Sequence, residues 1–307
     1  MWIRLPTDCG QPTRAPDAQL EVLASQLRQD VEVLAGQIGS RSLLDGPQKL
    51  LQAAQYIEHR LEQLGYRLVR QEFTAWGHKV ANLAVERTGT TRADQIVLVG
   101  AHYDTVPGSP GADDNATGVA ALLAIADRLR SHQSSRTLRL VAFVNEEPPF
   151  FQTEAMGALV YAQQCRRNQE HITAMLSLES LGYYSERPGS QQYPMPFGWM
   201  APNVGNFIAF ISNGRSELLL RHIAALFAEA EAFPWGAAAL PELVPGVAFS
   251  DHWAFWQQRY PAVMVTDTAM YRNPFYHTAQ DSPETIDWQG LARVVRGLTT
   301  VVQKLVG

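Results

Sequence analysis

Gln95-Ile-Val-Leu-Val-Gly100 is a near-continuous apolar run, followed at once by His102-Tyr-Asp104. A run of that kind is the pattern of a strand buried on both faces, as in a sheet covered by helices on either side. A polar loop rich in Gly and Pro covers 102–115, a helical pattern covers 116–131, and 138–144 is again an aliphatic strand. Working outward, strands are expected at 67–73, 80–86, 172–178, 207–212 and 261–266. Helices are expected at 17–36, 47–64, 155–164, 216–230 and 287–305. Pro47 suits a first helical turn and Gly65 a stop. Residues 185–206, with four prolines and three glycines, are expected to form a loop. The alternation predicts an α/β fold: a single domain with a mostly parallel, mixed central sheet and helices on both faces. Three prolines in the first sixteen residues predict an extended N-terminal arm over 1–16, which leaves 17–307 as the one domain.

Composition narrows the chemistry. The 307 residues carry 25 Lys and Arg against 30 Asp and Glu, a formal net charge of −5, which argues against a nucleic-acid partner. The charged share is 18% and the hydrophobic share 46%, the balance of a folded globular chain. The longest apolar run, 119–126, has eight residues, too few to span a bilayer. No apolar stretch of signal-peptide length opens the sequence, so as written the protein is expected to be cytoplasmic, with no membrane partner. The two cysteines, Cys9 and Cys165, cannot form a four-cysteine zinc site. Any metal site must then be built from His and carboxylates.

Such residues cluster where strands end, which is where α/β sheets place their ligands. His102 and Asp104 follow the 95–100 strand, and Asp114 comes twelve residues after His102, within Gly111-Ala-Asp-Asp-Asn-Ala-Thr-Gly118. Glu146-Glu147 follow the next strand and Glu179 the one after. Tyr276-His277-Thr278 and Asp281 come late. Imidazole and carboxylate are zinc ligands, and two metals a few ångströms apart need a bridging carboxylate. Asp104, two residues after His102, is placed to hold the second ring nitrogen. Adjacent glutamates can divide the work, one binding metal and the other acting as general base. Each fragment alone has an ordinary structural reading: Asp113-Asp114 as turn chemistry, Glu-Glu as a solvated face, His277 as a loop residue. Their joint order after successive strands is what carries weight.

His102-Tyr-Asp104, the 111–118 stretch, Asn145-Glu-Glu147, Leu178-Glu179-Ser-Leu-Gly182, Ser250-Asp-His252 and Tyr276-His277-Thr278 together resemble the co-catalytic zinc aminopeptidases. This is metallopeptidase family twenty-eight, which also contains glutamate carboxypeptidases and glutaminyl cyclases. The resemblance spans residues 47–305. It implies two zinc ions per chain, one held by His102 and Glu179 and the other by Glu147 and His277. Asp114, four residues before Gly118, would bridge them, with a non-prolyl cis peptide following it. Glu146 would be the general acid/base and Asp104 the partner of His102. The Tyr276 hydroxyl would help to stabilise the oxyanion, and Asp251 would orient a ligand or the substrate. The implied reaction is hydrolysis of the N-terminal peptide bond of a peptide with a free N-terminus, by a metal-bridging hydroxide. The alternative on the same scaffold is a glutaminyl cyclase with one zinc. His102-Tyr-Asp-Thr-Val-Pro107 is also similar to the signature of a carboxypeptidase-type amidohydrolase family that inserts a lid domain before its last His. The 130 residues from Glu147 to His277 are already taken by elements of the main sheet and leave little room for one. The rings of Pro148-Pro-Phe-Phe151 suit either the wall of an apolar pocket or ordinary packing.

Overall fold

The computed structural model describes residues 1–6, 17–195, 198 and 201–307. The chain runs β1 (Trp2–Arg4), α1 (Ala18–Val31), α2 (Pro47–Gln63), β2 (Val69–Ala75), β3 (His78–Arg87), β4 (Arg92–His102) and α3 (Gly118–Leu129). It continues with β5 (Arg136–Phe143), α4 (Gly157–Arg167), β6 (His171–Glu179), β7 (Ile208–Ser212) and α5 (Glu217–Ala230). It ends with β8 (Trp235–Ala239), α6 (His252–Gln257), β9 (Ala262–Thr266) and α7 (Trp288–Val306). The strands form one nine-stranded sheet of order β1-β8-β7-β9-β6-β4-β5-β3-β2.

The parallel part of the sheet is its centre. β4 pairs in parallel with β5 and β6, and β6 with β9. These four strands therefore end on the same side, and every segment that carries the expected chemistry leaves from that side or returns to it. Antiparallel pairing begins at the flanks, between β3 and β5, between β7 and β9, and at both edges. The expected single-domain, mixed α/β sheet is borne out, with a further parallel pair, β7 and β8, toward the β1 edge.

Side-chain alternation along β4 puts helices on both faces, as expected. Val97, Val99 and Ala101 join the large apolar cluster with α1, α2, α3, α5 and α7. Ile96 and Leu98 face a second cluster built with α4 and α6. α3 is buried along almost its whole length, which is why its sequence, Val-Ala-Ala-Leu-Leu-Ala-Ile-Ala, is apolar on every side. α7 begins where the Asp287 carboxylate accepts the Gly290 N–H, and α1 where Asp17 accepts that of Leu20. α1 runs on into a π-helical stretch, Glu32–Ile38. Cys165 is a buried free thiol, while Cys9 and the rest of 7–16 lie outside the described residues. Among the described residues no helix is long and apolar enough to cross a membrane.

Candidate metal centre

Two of the side chains are the last residues of their strands: His102 closes β4 and Glu179 closes β6. Glu146 and Glu147 stand three and four residues beyond the end of β5. Asp114 lies in the turn that leads into α3, where its φ/ψ and those of Asn115 are non-helical and the peptide between them is cis. His277 comes from the loop between β9 and α7, with φ at 60°. Asn145 and Ser180 are also left-handed, at 59° and 48°. Backbone held in that region next to functional groups marks positions that the surrounding structure over-determines.

The two carboxylate oxygens of Asp114 face different histidines. Oδ1 lies 3.2 Å from His102 Nε2, and Oδ2 lies 3.1 Å from His277 Nε2. Glu179 Oε2 is 3.3 Å from His102 Nε2, and Glu147 Oε2 is 3.2 Å from His277 Nε2. Glu146 Oε2 stands farther off, 3.9 Å from His102 Nε2. All are buried except His277, which is partly open. Ligand atoms of His102, Asp114 and Glu147 come within 4.8 Å of one another. His102 Nε2, Asp114 Oδ1 and Glu147 Oε1 are buried without a hydrogen-bond partner. A divalent cation is a group that would satisfy all three, and an imidazole with carboxylates is a donor set that first-row metals accept.

Two further carboxylates hold the site's backbone in the same way. Asp104 accepts the N–H groups of Glu146 (3.0 Å) and Glu147 (3.1 Å). Asp281 accepts those of Asp113 (2.9 Å) and Asp114 (3.1 Å). His102 Nδ1 meets the main-chain oxygen of Asp104 at 3.2 Å, with the Asp104 carboxylate 3.6 Å away. Ser250 donates to Glu179 Oε2 at 2.7 Å and Ser180 to Oε1 at 3.2 Å. Asn115 ties the Asp114 turn to β6: its amide donates to the Leu178 carbonyl and accepts the Ser180 N–H. The ring of Tyr276 stacks on His277 at 3.8 Å. Asp251 is fully buried at the start of α6, makes no cap bond, and leaves both carboxylate oxygens unpartnered.

Electrostatics follow from this crowding. Burial, then Asp114, push Glu147 up to about 7. Burial raises Glu146 well above the ordinary glutamate range; His102 opposes the rise, while Glu147, Glu179 and Asp251 add to it. Burial works against charge on His102, yet Glu179 and Glu146 lift its pKa well above that of a free imidazole. A cleft that concentrates so much mutually perturbed charge has the signature of a functional site.

Sequence reasoning left Asp281 without a role and missed Arg41. The Arg41 guanidinium is fully buried and donates to the carbonyls of Leu34, Gly39, Tyr103, Pro110 and Gly111, fastening the loop between His102 and Asp114. Neither residue has a local signal: Asp281 acts on a backbone 167 residues away and Arg41 on one about 70 residues away. Phe150 packs under Trp76, and Phe151 edge-on against Phe249, so the first ring belongs to the core.

A sequence profile of Peptidase family M28 matches residues 82–302. The chain is 33% identical over 296 residues to the uncharacterized protein YfbL of Escherichia coli (strain K12), covering 94% of this chain and 90% of that one. BSAP, a zinc aminopeptidase from Bacillus subtilis, shares the fold with a TM-score of 0.69 at 15% identity, over 92% of this chain and 95% of its own. Fimbriiglobus ruber glutaminyl cyclase does so equally, with a TM-score of 0.69 at 19% identity, over 96% and 98%. The likeness carried by the sequence motifs is borne out at the level of the family. With a profile match over most of its length and a relative one-third identical over nearly all of it, the chain belongs to Peptidase family M28.

Proposed function

We propose that this chain is a zinc-dependent aminopeptidase that holds two zinc ions and hydrolyses the N-terminal peptide bond of peptides with a free N-terminus. The observation that carries the reading is the division of Asp114: one oxygen faces His102 and Glu179, the other His277 and Glu147. His102 and Glu179 would hold one ion, Glu147 and His277 the other, with Asp114 shared. When bound, the metal supplies Lewis-acid chemistry, polarising the scissile carbonyl and easing deprotonation of the attacking water.

The chain's own groups do the rest. Glu146 is fixed by Asp104 through its backbone N–H and reaches the centre without the close contacts that Glu147 and Glu179 make. Its carboxylate takes a proton from the water as the new C–O bond forms, and gives it to the leaving nitrogen as the C–N bond breaks. Burial keeps the Tyr276 hydroxyl protonated, so that it can donate to the developing oxyanion. The free α-amino group would sit beside the second metal and the nearby carboxylates, which would restrict cleavage to the first residue. The name of the Bacillus subtilis zinc aminopeptidase supports this reading, while that of the Fimbriiglobus ruber glutaminyl cyclase marks the rival.

A panel of aminoacyl anilides beside their N-blocked forms, with and without chelator, tests the proposal. Cleavage of free but not blocked substrates, lost on chelation, is expected. The Glu146→Gln variant should keep two zinc ions per chain and lose about a thousandfold in kcat. One tight zinc with cyclisation of N-terminal glutamine, and no anilide hydrolysis, would replace the aminopeptidase by the cyclase.

A further inference from the structure

The hairpin that joins β2 to β3 rises beside the candidate centre. β3 pairs with β5 so that Leu83 stands opposite Ala142. β5 ends one residue later, at Phe143, whereas β3 reaches back to His78. The hairpin therefore projects four residues, about 14 Å, past the end of β5. It does so on the side where Glu146 and Glu147 leave that strand. At its tip Ala75 pairs with His78, which leaves Trp76 and Gly77 as a two-residue turn, with φ at 48° and 83°. Two positive φ values are what the tightest hairpin turns require, and Asn, Asp or Gly ordinarily supplies them. A bulky ring at the first position sits in costly backbone. It gains little burial in return, for Trp76 is 65% exposed.

The ring rests on a fixed base. The Phe150 ring centroid lies 4.8 Å away at an interplanar angle of 60°, and Phe150 is itself buried. The N–H groups of Phe150 and Phe151 both donate to the Glu147 carbonyl, at 2.9 and 3.2 Å. One turn of chain thus joins the base of the Trp76 ring to a proposed ligand of the centre. A large aromatic surface that is strained, exposed and rigidly backed beside a catalytic cleft is placed to touch a ligand. The sheet order tells which part of a peptide reaches it. The strands run β6-β4-β5-β3-β2 across the centre. Glu146, which gives its proton to the leaving nitrogen in the reading above, follows β5, and that nitrogen must come within about 3 Å of it. The nitrogen belongs to the substrate's second residue, whose side chain starts two bonds away. Beyond β5 in the sheet come β3 and β2, with Trp76 at their tip.

We propose that Trp76 is a specificity residue for the leaving side of the substrate: its ring, backed by Phe150, receives the side chain of the second residue and favours apolar ones, aromatic above all. The inference rests on the aminopeptidase reading above. The test compares the dipeptides Leu-Phe, Leu-Leu and Leu-Gly, which differ only on the leaving side. In the unaltered protein kcat/KM for Leu-Phe is expected to exceed that for Leu-Gly about tenfold, with Leu-Leu between them. Trp76→Asn suits the turn and removes the ring, and should bring the ratio below about two. Trp76→Phe should keep most of it. Damage to the fold or to the metal centre would slow all three dipeptides alike and leave the ratio where it was. A ratio that survives Trp76→Asn, or one near unity in the unaltered protein, therefore overturns the proposal. If no dipeptide is cleaved, the aminopeptidase reading fails, and calorimetric binding of the same dipeptides decides on Trp76 separately. Tighter binding of Leu-Phe than of Leu-Gly that Trp76→Asn abolishes would uphold the role of the ring, and equal binding would dismiss it.

Discussion

His252 follows the unpartnered Asp251 and is itself fully enclosed. Its Nε2 donates to the Val247 carbonyl at 2.8 Å, Nδ1 has no partner, and its ring stands edge-on to Trp256 at 4.4 Å. Burial lowers its pKa from 6.5 to about 4. In the unfolded chain the imidazole titrates near 6.5. Between those values the unfolded state takes up a proton that the folded state refuses. Stability contributed by neutral His252 is therefore full above pH 6.5, falls as the pH drops toward 4, and changes no further below that. The loss amounts to about 3 kcal/mol. His252→Gln keeps a donor for Val247 without a titrating ring. Urea unfolding at pH 7 and pH 4 should show the variant losing about 3 kcal/mol less than the unaltered protein. Equal losses would show that the ring charges freely in the fold.

Among the elements, β4 and β5 must lie close enough to present His102 and the Glu146-Glu147 pair to one centre. Gly100 makes this possible, because a Cβ there would come 2.3 Å from Phe143 Cε2, a ring fixed among Tyr161 and Phe255. Gly100→Ala is expected to cost about 2 kcal/mol in unfolding free energy, and to weaken zinc binding through the shift in β5. A neutral substitution would mean that the ring has room to turn. The same elements explain what could be read beforehand. β4 was legible because it is buried on both faces and so continuously apolar, and the motifs at its end were legible because their spacing is local. β8, Trp-Gly-Ala-Ala-Ala, was not: its small residues are poor strand formers, and only pairing with β7 and β1 makes them a strand. The helical backbone leading into α3 begins at Ala116, as expected, because Asp114 and Asn115 leave the helical region just before it. α6, six residues long, carries too short a period to recognise. Asp104 was marked for His102, but its hydrogen bonds to two consecutive N–H groups past β5 become visible only in three dimensions.

For the molecule as a whole, the proposed zinc ions are a term in folding stability. Their ligands come from positions between 102 and 277, carried by the ends of two strands, the loop after a third, a turn and a late loop. No short stretch of unfolded chain brings them together, so binding belongs almost wholly to the folded state. The chain bears a formal charge of −5, and a share of that excess is buried in one cluster. Four positive charges placed there relieve both the repulsion and the unpartnered atoms. A ligand that binds only the folded form adds about 4 kcal/mol when its free concentration is a thousandfold above Kd. For a chain of this size that raises Tm by about 6 °C. Chelation is therefore expected to lower Tm by about that amount, and added zinc to restore it. Asp114→Asn supplies the control, since a neutral amide cannot serve two cations with two charged oxygens. Its Tm should be almost insensitive to chelator and zinc. A chelator effect of the same size in the variant would place the stabilising metal elsewhere in the fold.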